Sequence, residues 1–147
     1  MTTPEPRWYR LDLSPSANKL VRPAFMGVRR GKPQMRLVKT REATAWRDYA
    51  RMQCKAYGLR PLSGPLCVQI DLNVRRINQD ASNFVKQFED ALTGVAWHDD
   101  LQIVELRVRK CIEVDSEPSL FFRVFAAQDV WPETAKRIER SKKGSGR

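Results

Sequence analysis

Residues 66–74, LCVQIDLNV, alternate without a break: Leu66, Val68, Ile70, Leu72 and Val74 share one side, and Cys67, Gln69, Asp71 and Asn73, followed by Arg75, share the other. Successive side chains of an extended chain point to opposite faces, so this run predicts a strand with one face in a core. The period then changes. Phe84, Val85, Phe88, Ala91 and Leu92 recur at the spacing of an amphipathic helix, and Gly94 ends it. A second strand follows in LQIVELRVRKCIEV, with Val104, Leu106, Val108, Ile112 and Val114 mostly on one side. Strand, helix and strand in this order predict a right-handed crossover with the helix lying on the sheet.

The flanks supply further elements. WYRLDLS alternates Tyr9, Leu11 and Leu13 against Trp8, Arg10 and Asp12, a half-buried strand, and MRLVK reads as a short one. From Thr40, a candidate cap, Ala45, Tyr49, Met52 and Ala56 recur at helical spacing beside Trp46 and Ala50, and Gly58 with Pro61 marks the end. Trp46 and Tyr49 suit a core better than base stacking at this spacing. DSEPS is expected to turn the chain into LFFRVFA as a hairpin with the preceding strand, and WPETAKRIER reads as a final short helix. The expected fold is α+β: a single domain with a mixed β-sheet, in the order strand, strand, helix, strand, helix, strand, strand, plus a short C-terminal helix. Residues 1–7 are expected to be disordered, 8–130 to form the domain, and 131–147 to carry the short helix and a basic tail.

Charge narrows the function. The 147 residues carry 27 Lys and Arg against 17 Asp and Glu, a formal net charge of +10, which points to a polyanionic partner. Between Lys19 and Arg41 lie eight basic residues and no acid, including Lys19, Arg29, Arg30, Lys32 and Arg36. A Gly-flanked basic loop of this kind can follow a phosphate backbone and release its counterions. Nothing resembles a membrane span or a secretory signal, and an organic cofactor has no motif. Cys54, Cys67 and Cys111 form no C-x-x-C, so reduced thiols and a cytoplasmic setting are expected.

Against that basic background, QDASNFVKQFEDALTGVAWHDD gathers Asp80, Glu89, Asp90, Asp99 and Asp100 within residues 79–100. Carboxylates so grouped repel one another unless a cation sits among them. Mg²⁺ is held by one or two carboxylates together with waters and substrate phosphate oxygens, the equipment of phosphodiester hydrolysis. Lys86, on the helix face opposite the apolar stripe with Ser82, Asn83 and Asp90, suits a point charge beside a scissile phosphate. The bland alternatives stay open at this point: Asp80 as a helix cap, Lys86 and Asp90 as a surface pair, His98 and its neighbours as a plain loop.

The window resembles the signature of RusA-type Holliday junction resolvases: DASN at 80–83, Lys86, DAL at 90–92, Trp97, and DD at 99–100. PSANK and AWRDYA are similar to the family's early segment, and the likeness spans about residues 9–126. The resemblance implies a homodimeric, Mg²⁺-dependent endonuclease, with Mn²⁺ able to substitute, that nicks opposed strands of branched DNA. It implies Asp80 and Asp100 as catalytic and metal-binding carboxylates with Asp99 beside them, Lys86 as the catalytic cation, and Ser82, Asn83 and Asp90 in support. Lys19, Arg29, Arg30, Lys32, Arg36, Arg75 and Arg76 are the expected DNA contacts. Ser82 departs from the pattern, which has a second aspartate there. The rivals are therefore a catalytically silent, structure-selective DNA-binding protein, and an RNA-binding protein whose acidic helix is only structural.

Overall fold

The computed structural model describes residues 6–15, 19, 21–129, 131–133, 136, 137, 140 and 143. Along the chain run β1 (Tyr9–Asp12), β2 (Val21–Arg29), β3 (Lys32–Lys39), α1 (Arg41–Ala56), β4 (Leu66–Val74), α2 (Ser82–Leu92), β5 (Ile103–Ile112) and β6 (Ser119–Ala126). The fold is α+β, as the periodicities imply. One mixed sheet has the order β1-β6-β4-β5, and β2 with β3 forms a separate two-stranded ribbon. Among the described residues no helix is long and apolar enough to cross a membrane.

The expected crossover is present in its pairing: β4 and β5 are neighbours and parallel, with α2 between them in sequence. The apolar face of β4 is fully buried and packs with Phe84, Phe88, Ala91 and Leu92 of α2, with Trp46, Ala50 and Cys54 of α1, and with Leu120 and Phe122 of β6. Each large aliphatic or aromatic side chain among these contributes roughly 1.5–3 kcal/mol by leaving water. The opposite face of the sheet is polar, paired as Arg109 with Asp71 at 2.6 Å and Arg107 with Glu105 at 2.6 Å. One covered face and one wet face explain why β4 alternates so cleanly.

Several expectations are corrected. β6 does not form a hairpin with β5; it inserts antiparallel between β1 and β4, leaving β5 on an edge. Inserting there lets Leu120 and Phe122 join the core from the sheet's centre. The basic loop is a β-ribbon, because Arg30 and Gly31 both take positive φ and close a two-residue turn matched to strand twist. In α1 the buried stripe is Ala43, Trp46, Ala50 and Cys54, whereas Ala45, Met52 and Ala56 are exposed. As their spacing suggested, Trp46 and Tyr49 are structural: the Trp46 indole donates to the Asp12 carbonyl at 2.9 Å, and the Tyr49 hydroxyl accepts from the Asp12 N–H at 3.1 Å. Leu106, Ile112 and Val114, assigned to a buried side, are exposed along the β5 edge and beyond it.

Thr40 caps α1 as expected, its hydroxyl accepting from Ala43 N–H at 3.2 Å. Toward the C-terminus the described residues 132, 133, 136, 137, 140 and 143 are helical. The rest of the basic tail lies outside the described residues, as do residues 1–5 of the N-terminal segment; Arg7 places its guanidinium 5.4 Å from the Tyr9 ring centre. The cysteines are free; burial pushes the Cys54 thiol up to about 12, so it is inert at neutral pH.

Candidate active site

Helix α2 organises the acidic window. Its apolar stripe presses on β4, which turns Ser82, Val85, Lys86 and Glu89 toward the open side beside β5, where they border a groove with Leu106 and Val108. At the far end Thr93 caps the helix, and Arg51 from α1 donates to the carbonyls of Ala91 at 3.0 Å and Thr93 at 2.8 Å. Those carbonyls would otherwise be orphaned, as the last ones of any helix are.

Asp100 is held at that C-terminal end. Its Oδ1 accepts from the Trp97 indole at 2.8 Å and from the Thr93 hydroxyl at 2.5 Å. Trp97 is itself fully buried, so its N–H is a fixed donor, and both bonds fall on one carboxylate oxygen. Asp99 has a different task. It caps the short 3-10 turn Asp100–Gln102, accepting from Leu101 N–H at 2.9 Å, while the Gln102 side chain accepts from Asp99 N–H at 2.9 Å. Gln102 also accepts from His98 N–H at 2.7 Å and donates to the carbonyls of Leu62 and Gly64, pinning the turn to the body. His98 is exposed.

Lys86 donates to Asp90 at 2.7 Å one turn along. That hydrogen bond, followed by the charges of Asp90, Asp100 and Glu89, raises Lys86 above its ordinary value, so it is a cation throughout the neutral range. Glu89 is shifted upward too, first by burial and then by the charge of Asp100.

Asp80 sits at the opposite end. It precedes α2, and its Oδ1 accepts from Ser82 N–H at 3.1 Å and from the Ser82 hydroxyl at 2.9 Å. It thus caps the helix start from one residue before the N-cap position, which Ala81 occupies without a side-chain bond. Asp80 and Asn83 line a cleft of about 830 Å³ whose wall also carries Lys19, Arg75, Arg76 and Ser14. The Ser14 hydroxyl is buried and has no hydrogen-bond partner among the described residues. Arg75 is braced by the Ser116 carbonyl at 3.2 Å and by Glu117 at 3.3 Å. With Lys19, Arg75 and Arg76 against Glu42 and Asp80 in its lining, this cleft can take phosphate oxygens. Arg29, Arg30 and Lys32 gather instead at the ribbon turn, with Arg36 exposed on β3.

The expected residues therefore fall into two groups: Asp80, Ser82 and Asn83 with the basic cleft, and Lys86, Asp90 and Asp100 with Glu89. Asp80 precedes and Asp100 follows the eleven residues of α2, which span about 16 Å at 1.5 Å each, and Lys86 lies between them, three residues after Asn83. Among the described residues no three His, Cys, Asp or Glu side chains converge to hold a metal ion. Asp80 is held at the start of α2 by Ser82, and Asp100 at its end by Thr93 and Trp97. Thr93, Gln102 and Arg51 carry no motif signal. Only their tertiary hydrogen bonds reveal them: Thr93 to Asp100, Gln102 to the 98–99 backbone, and Arg51 to the end of α2.

A mixed sheet with two helices on one face, acidic side chains at both ends of its crossover helix and a basic cleft beside one end, defines a class: small nucleic-acid-processing domains of α+β architecture. The chain belongs to the endodeoxyribonuclease RusA family, whose model matches residues 15–124. No curated protein matches the sequence.

Proposed function

We propose that this chain is a divalent-metal-dependent endonuclease that resolves four-way DNA junctions by paired nicks, and that it works as a homodimer in the cytoplasm. Family membership supports the endodeoxyribonuclease activity and the junction as substrate. One observation carries the finer reading: Asp80 and Asp100 stand off opposite ends of one helix that flanks an unpaired sheet edge. A two-fold pairing of β5 edges would run the two α2 helices antiparallel and cover Val85, Leu106 and Val108. Asp80 of one copy would then lie beside Asp100 of the other. A closed two-fold also matches the two equivalent strands of a junction.

In this reading Asp80 and Asp100 hold the ion, Mg²⁺ or in its place Mn²⁺, which when bound activates water and neutralises charge on phosphorus. Lys86, fully protonated, stabilises the developing negative charge on the scissile phosphate. Trp97 and Thr93 keep the Asp100 carboxylate aimed, and Asp90 steadies Lys86. Asn83, Lys19, Arg75 and Arg76 position the strand in the cleft. Departure of the 3′ oxygen leaves 5′-phosphate and 3′-hydroxyl ends. For Asp99 the capping bonds supply a structural role beside the metal role implied by the motif.

Mixed dimers test the reading. Asp80→Asn and Asp100→Asn homodimers are expected to be inactive while still binding a four-way junction. Refolded together at equal amounts, they form hybrids with one intact composite site, restoring about a quarter of the wild-type sites as single nicks, since half the dimers are hybrid. No recovery, with the wild type active, would mean that each site belongs to one copy. The second reading, a silent junction binder, is favoured by Ser82 alone, and wild-type binding without nicks under Mg²⁺ and Mn²⁺ would establish it.

A further inference from the structure

The β2–β3 ribbon is amphipathic across its two faces. Its register pairs Pro23 with Leu37, Phe25 with Met35 and Val28 with Pro33 on one face, while Arg22 and Arg36 belong to the other. The apolar face is uncovered: Phe25 is 61% exposed, Val28 67%, Met35 60% and Leu37 68%. A bulge after Phe25, with Gly27 at φ 103°, re-aims the strand toward a tip formed by Arg29, Arg30 and Lys32. Among the described residues the ribbon pairs with no other strand, and its base is tied by the Thr40 hydroxyl to the Lys19 carbonyl at 2.6 Å. Val21 and Lys39 at that base share a pocket with Lys86 and Asp90, so the ribbon springs from beside the candidate catalytic lysine.

Two-stranded ribbons are marginal in water, and this one exposes a continuous apolar strip that needs an occupant. From residue 19 to 41 the segment has eight cations and no acid, so a second copy of itself would be repelled and a polyanion attracted. We propose that the ribbon is a wedge for branched DNA: its tip and basic face grip phosphates, and its apolar face, led by Phe25 and Met35, packs against bases unstacked at the branch point. Apolar side chains in such a position hold opened base steps apart. The proposal rests on the junction reading but concerns binding, not cleavage.

The test is run without metal, so that cleavage is not its readout. A four-way junction carrying 2-aminopurine at the branch point should brighten when wild-type protein binds, as that base loses its stacking. Phe25→Ser with Met35→Ser should abolish the brightening and lower the preference for junction over linear duplex by roughly tenfold or more, the scale of one or two lost base contacts. Phe25→Trp should keep the preference and show indole emission quenched by junction. Circular dichroism guards against misfolding. Unchanged brightening and preference in the double serine variant overturn the proposal. So does a dimer that falls apart in sedimentation when the serines are introduced, which would make the strip a protein interface. The junction-nuclease reading fails separately, if wild-type protein with Mg²⁺ or Mn²⁺ makes no nicks.

Discussion

At the scale of single residues, Ser82 is the informative departure. Its hydroxyl donates to Asp80, so it orders the carboxylate without adding charge. Ser82→Asp would replace that bond by a like-charge contact two residues from Asp80. The expected result is a requirement for Mg²⁺ about tenfold lower in cleavage, because affinity follows the ligand charge count. Thermal unfolding without metal should show a cost of about 0.5–1 kcal/mol for the lost hydrogen bond. A metal titration that does not move would place another group at that ligand position. The identities Asp80, Lys86, Trp97 and Asp100 were legible as a motif, since residue types at fixed spacing survive in one dimension. What Trp97 does was not. Its indole N–H meets Asp100 only because Phe88 packs 6.1 Å from its ring and the 3-10 turn folds back.

At the scale of elements, helix α2 carries an electrostatic conflict at its open side. Burial and the Asp100 charge shift Glu89 upward, so the folded chain holds that proton more tightly than the unfolded one. The sign follows: ionised Glu89 opposes folding above its raised value, and the penalty vanishes as pH falls and both states protonate. Glu89→Gln should therefore raise Tm at pH 7 by roughly 1 °C, the response to a few tenths of a kcal/mol, with the gain disappearing near pH 4. A gain independent of pH would assign the effect to packing. The helix itself was plain in the sequence, and so was its buried stripe. In α1 the stripe was placed about one residue off, because Ala, Met and Tyr offer two adjacent apolar faces. Periodicity establishes that a helix has an inner face. Contact with α2 and with β1, through the Trp46 and Tyr57 bonds to backbone carbonyls, chooses which.

For the whole molecule, charge and its placement dominate. The cleft cations Lys19, Arg75 and Arg76 and the tip cations Arg29, Arg30 and Lys32 lie on separate surfaces of one copy. With six phosphate contacts, junction affinity should fall by about 10³ between 50 and 200 mM salt. Replacing the three tip cations with alanine should flatten the plot of log affinity against log salt by roughly 0.9 per lost contact per copy. A slope that stays the same would show that the tip does not reach the backbone. The separation of the two acids is equally a property of the whole: each is locally well held, and neither is complete alone.

The sequence by itself determined the strand, the amphipathic helix and the strand after it, the family motif and the basic segment, because each is written in neighbouring residues through periodicity, spacing or charge. Tertiary structure alone decided that β6 slots between β1 and β4 and leaves β5 as a bare edge. It alone sent Asp80 and Asp100 to opposite ends of α2 and left the ribbon's apolar face open. These outcomes depend on pairing between segments far apart in the chain, where loop entropy and core packing compete and no local pattern carries the answer.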